Sequence, residues 1–218
     1  MLAGLSFLFV TMSLVAQEKK AADPSRFEEA IKAYEAADKT NPPPEGGILF
    51  TGASSIRLWK TLAEDFPEHK VINRGFGGSQ LSDNIHYADR IVIPYKPKLI
   101  VIQAGGNDIN AGKTPETVVA DFKTYVEKVR AKLPEVRIAY MSINPSPARW
   151  SQLEQQRKAN KLVKEYIASG KNLDYIDIWD SVLGSDGQPR EELFIADKLH
   201  PSAEGYKIRT ALVRPHLK

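Results

Sequence analysis

The chain has 218 residues, a net charge of +3, 42% hydrophobic and 26% charged residues; that is the size of one α/β domain with a sizeable core and the composition of a soluble globular protein. The positive excess is spread along the chain without a basic block, which argues against nucleic acid as a partner. There is no cysteine, so disulfides, thiolate metal sites, a cysteine nucleophile and a lipid-modified N-terminal cysteine are excluded.

Residues 1–16, MLAGLSFLFVTMSLVA, carry no charged side chain and are followed by QEKK. The apolar stretch is shorter than the ~20 residues of a spanning helix. It reads as a secretory signal peptide cleaved near Ala16, which predicts a secreted or periplasmic protein with no stable membrane insertion after cleavage. Residues 23–39 have helical spacing through Phe27, Ile31 and Tyr34, with Asp23 as cap and Pro24 in the first turn. NPPPEGG at 41–47 ends that helix, so 17–46 forms an N-terminal helix and Pro-rich connector and the main domain runs from 47 to 218.

From Gly47 the pattern alternates. GILFT precedes a helical stretch, SSIRLWKTLAEDF; KVIN precedes SQLSDNIHYADRIV; PKLIVIQAG precedes a strong helix over 114–133, capped by Thr114. VRIAYMSI then precedes a long helix from Trp150 to Ser169, and LDYIDI precedes a closing helix that starts near Pro201 and Ser202. Short continuous apolar runs fit strands buried on both faces. The fold class predicted is α/β: a three-layer α/β/α sandwich on a five-stranded, mainly parallel sheet of flavodoxin-like type.

In such sheets ligands bind beyond the carboxyl ends of the strands. Four polar clusters fall there: Ser54 and Ser55, NRGFGGSQ (73–80), GGND (105–108) and DKLH (197–200). Acyl transfer needs a nucleophile, a base, a group that orients the base, and oxyanion donors. Ser54 or Ser55 supplies the hydroxyl. His200 is the candidate base, and Asp197 is three residues earlier, within one turn of loop. Backbone N–H groups of the glycine loop and the Asn107 amide can serve as donors. Arg74 and Arg149 lie near the same edge, where a polar or anionic substrate group could meet them, and Trp150 adjoins them as a substrate contact.

These four blocks resemble the SGNH (GDSL-type) serine hydrolases, whose marker residues are Ser, Gly, Asn and His in that order. By resemblance the nucleophile falls on Ser54, the oxyanion glycine on Gly78, the oxyanion asparagine on Asn107, and the Asp-x-x-His pair on Asp197 and His200. The Ser54 backbone N–H is the third oxyanion donor. The likeness runs from about residue 48 to the C-terminus. It implies a serine esterase acting on short-chain acyl esters, with an acetylated carbohydrate or a lysophospholipid as substrate and neither metal nor cofactor. Ala53 stands where the family usually has Asp, a residue outside the proton-transfer chain.

Three other readings compete. A hydrolase-like carbohydrate-binding protein without catalysis would not need the complete residue set. A two-metal phosphoesterase needs several Asp and His ligands, and no Asp-x-His occurs in the amino-terminal half. A flavodoxin-like mononucleotide binder would carry its glycine loop after the first strand, whereas here it follows the second. The sequence does not specify an oligomeric state.

Overall fold

The computed structural model describes residues 23–218; the leader read as a signal peptide, residues 1–16, lies outside them. Five strands form one sheet: β1 (Ile48–Gly52), β2 (Val71–Gly75), β3 (Leu99–Gln103), β4 (Arg137–Met141) and β5 (Leu173–Ile176). Their order is β2-β1-β3-β4-β5 and every pair is parallel. All five positions of β1 and of β3 are buried, as expected of central parallel strands covered by helices on both faces.

Side chains alternate across the pleat, which divides the core into two clusters. Leu49, Ile100, Ile102 and Tyr140 face α1 (Glu28–Thr40), α4 (Leu81–Ile91), α6 (Pro115–Arg130) and α7 (Leu153–Ala168). Ile48, Phe50, Val101 and Met141 face α2 (Ser54–Arg57), α3 (Leu62–Asp65) and α8 (Ala203–Val213). A five-residue helix, α5 (Gly106–Asn110), follows β3. Thr114 caps α6 by accepting from the Thr117 N–H, and Ser202 caps α8 by accepting from the Gly205 N–H. Asp23 caps a 3-10 turn that leads into α1.

Register positions the site. Gly52 of β1 is level with Gly75 of β2 and with Gln103 of β3, so three loops leave the sheet at one height. The strand order reverses between β1 and β3, which opens a crevice at their carboxyl ends. Gly52 has a φ of +119°, and a Cβ there would sit 2.0 Å from the Gln103 carbonyl oxygen. Only glycine lets the chain turn out of the sheet at this point.

Two expectations are corrected, and one element is added. The stretch 54–66 is two short helices, and at the break between them the Asn73 amide of β2 donates to the Ile56 carbonyl at 2.7 Å and the Trp59 carbonyl at 3.5 Å. The helix expected from Trp150 starts at Leu153, after a 3-10 segment, Pro147–Gln152, in which Arg149 leaves helical geometry (φ −124°, ψ 24°). Helix α5 has no counterpart in the sequence reading, since five residues are too few for a 3.6-residue period to show.

Candidate active site

Ser54 opens α2 immediately after β1, with Ala53 extended as its N-cap. The Ala53 N–H donates to the Gln103 carbonyl at 3.0 Å, which fixes the exit from the strand. Neither the Ser54 nor the Gly78 N–H donates to another protein group among the described residues. The first N–H groups of a helix have no partner within it. Gly78 has a φ of +84°, and open space lies where its Cβ would be. Its backbone therefore borders the cleft directly.

His200 and Asp197 come from the loop between β5 and α8. That loop is pinned by an isolated antiparallel bridge between Phe194 and Pro201, and by the Ile195 N–H donating to the His200 carbonyl at 2.9 Å. Lys198 takes a left-handed φ of 56° within the turn. The Asp197 carboxylate accepts from the Leu199 and His200 N–H groups, both at 2.9 Å, and meets His200 Nδ1 at 2.6 Å. His200 Nε2 lies 2.7 Å from Ser54 Oγ. Hydroxyl, imidazole and carboxylate thus form one continuous chain from residues 146 positions apart. Burial raises the Asp197 pKa, but the hydrogen bonds from His200 and Leu199 outweigh it and hold the carboxyl down to about 2.

Asn107 sits in the first turn of α5. Its Nδ2 donates to the Ser79 carbonyl at 3.0 Å and its Oδ1 accepts from Arg149 at 2.8 Å. That fixes which way the amide points and leaves one N–H over the cleft, since an amide nitrogen carries two. Its neighbour Asp108 is fully buried; it accepts from the Leu81 N–H and from Lys113 Nζ, and so ties α5 to the start of α4. Burial raises the Asp108 pKa, only partly offset by Lys113.

The structure brings Ser54, Gly78, Asn107 and His200 to one groove, with Asp197 behind the imidazole. It does not bring Arg74 there. Arg74 is 7% exposed, pairs with Asp38 of α1, and donates to the Tyr95 hydroxyl at 3.0 Å. Its strand position points it under α1 and away from the cleft, so the expectation of a substrate contact is corrected. Trp150 does not line the cleft, and its neighbour Arg149 does. His216 meets Asp174 at 2.6 Å, outside this groove. A small cavity beside Ser54, about 60 Å³, is lined on its far side by Ile143, Ser146 and Gln156. Its polar members were missed because β4, α7 and the loop between them converge only in three dimensions. The proline-bounded PSPAR segment after β4 was the available signal.

The GDSL-like Lipase/Acylhydrolase family model matches residues 46–208. Esterase TesA of Pseudomonas aeruginosa is 26% identical over 89 residues, which is 41% of this chain and 44% of that esterase, so the match spans less than half of the curated relative. A GDSL-like lipase from Bacteroides thetaiotaomicron superposes with a TM-score of 0.72 at 21% identity, over 86% of this chain and 96% of its own. A variant of an acetyl-xylooligosaccharide esterase from Geobacillus stearothermophilus gives a TM-score of 0.64 at 18% identity, over 80% and 95%. At these identities the two structures share the fold.

Proposed function

As this chain belongs to the GDSL-like lipase/acylhydrolase family, we propose that it hydrolyses carboxylic esters through an acyl-enzyme on Ser54. The observation that carries the reading is the 2.7 Å approach of Ser54 Oγ to His200 Nε2, with Asp197 on the far side of the ring. His200 takes the serine proton as Oγ attacks the ester carbonyl. Asp197 accepts the Nδ1–H, holds the reactive tautomer and stabilises the imidazolium. The Ser54 and Gly78 N–H groups and the Asn107 amide hold the oxyanion. The imidazolium returns its proton to the leaving alcohol, and water, activated by the same base, releases the acid.

The 60 Å³ cavity supports a short acyl group, because a benzene-sized guest occupies a cavity of about 150 Å³. An acetylated carbohydrate fits that limit, and the fold shared with an acetyl-xylooligosaccharide esterase supports it. The charge-free leader supports action outside the cytoplasm.

Treatment with a fluorophosphonate, followed by intact mass and peptide mapping, tests the reading. One adduct on Ser54, absent from Ser54→Ala, is expected. Folded protein that takes no adduct would overturn it in favour of a binding protein; an adduct on Ser55 would move the nucleophile.

A further inference from the structure

The groove outside the acyl cavity has an unusual charge balance. Arg57 and Arg149 both line it, together with Gly77, Gly78 and Phe27, and no Asp or Glu does so among the described residues. The acyl cavity, which shares Arg149, likewise has no acidic lining residue. Elsewhere Arg26, Arg74, Arg90, Arg190 and Arg214 each pair with a carboxylate, Arg130 and Arg137 donate to backbone carbonyls, and Arg157 lies over the Trp179 ring. Arg149 makes one side-chain hydrogen bond, to the neutral Asn107 amide. Arg57 makes none with its side chain among the described residues.

Both guanidinium groups are seated over glycine. A Cβ on Gly77 would lie 2.8 Å from Arg57 Nε, and one on Gly106 would lie 3.3 Å from Arg149 Nη1. The glycines bring two cations against the backbone of the oxyanion loops. Beneath the same cleft Arg209, 2% exposed, donates to Gln103 and Asn144, with no carboxylate partner. Burial lowers the Arg149 pKa and takes that of Arg209 down to about 10; a guanidinium stays charged at neutral pH. The acids close by are already engaged: Asp197 by His200, and Asp108 by Lys113.

Arg149 is half-buried and Arg57 is exposed; a partly desolvated cation such as Arg149 without a counter-ion is costly, a ligand anion offsets that cost through charge-assisted hydrogen bonds, and Arg57 offers a second, solvent-facing cation to the same anion. With the acyl group in the small cavity beside Ser54, the adjoining groove takes the alcohol. We infer that the alcohol part of the substrate carries an anionic group, a carboxylate or a sulfate, held between Arg57 and Arg149. This rests on the proposed ester hydrolysis and narrows its substrate to acyl esters of acidic alcohols such as uronate sugars.

The test is a matched pair: methyl O-acetyl-glucuronide and methyl O-acetyl-glucoside, with an O-acetylated sulfated sugar as a third arm. The carboxylate or the sulfate ester should exceed the neutral one at least tenfold in kcat/KM at low salt, and the better of the two names the anion. Arg57→Gln should cut that ratio at least fivefold, and Arg57→Lys should retain most of it. Equal kcat/KM for charged and neutral esters, or a ratio untouched by Arg57→Gln, overturns the inference. Calorimetry on Ser54→Ala with methyl glucuronide, a sulfated methyl glucoside and methyl glucoside separates the two readings. If no ester is turned over yet an anionic ligand binds preferentially, esterase function fails and the anion site stands. Absence of any preference removes the anion site.

Discussion

Asn107 illustrates how much one side chain depends on its neighbours. Its amide is held by Ser79 on one side and by Arg149 on the other, so it enters the reaction with no torsion left to freeze. Asn107→Ala is expected to lower kcat by about 10²–10³, the usual loss for one oxyanion donor; steady-state kinetics showing less than a threefold loss would remove it from the mechanism. At Asp197 the prediction concerns pH. A carboxyl held down to about 2 stays ionised as pH falls, and its clamp on the loop weakens only between the unfolded value near 3.8 and about 2. Above pH 4 Asp197 should therefore take up no proton, so protonation of the imidazole alone removes the base. The acid limb of log kcat/KM against pH should have a slope of one, and a slope of two would show that Asp197 titrates with it.

At the scale of elements, the glycine loop after β2 is held by the N-terminal helix. The Tyr34 hydroxyl of α1 donates to the Gly75 carbonyl, and Phe27 packs edge-on against Phe76 at 5.1 Å between ring centroids. Asp38 closes the contact by pairing with Arg74 and accepting from Tyr95. Asp38→Ala would leave a guanidinium under α1 with no carboxylate. A loss of about 3 kcal/mol is expected in urea unfolding, since removing one partner of a buried pair strands the other charge. An unchanged midpoint would mean that the pair adds nothing. The N-terminal helix thus serves as a brace for the oxyanion loop, a role that its amphipathic spacing does not reveal.

Across the whole molecule, the register of three strands lifts the loops after β1, β2 and β3 to one height, and the reversal of strand order parts them into a crevice. The fourth polar block arrives from the far end of the chain, fixed by the Phe194–Pro201 bridge and by α8 packing on the second core cluster. Among the described residues, no helix is long and apolar enough to cross a membrane.

Much of this was legible in the chain itself. Runs such as GILFT and LIVIQ fit strands covered on both faces, and their alternation with helical periods points to a parallel sheet. That sheet in turn places Ser54, Gly78, Asn107 and His200 on one edge, because parallel strands all end on the same side. The sequence by itself therefore determined the architecture and the edge that carries the chemistry. Pairing between distant side chains was decided by the tertiary structure alone. Arg74 lies in the glycine block yet turns to Asp38; Arg149, beside the expected Trp150, reaches Asn107; Asn73 bonds the Ile56 carbonyl at the break between two helices that periodicity would join. Local pattern records which face is apolar. It does not record which charge finds which partner across 36 or 42 residues, since that depends on where packed helices bring the side chains.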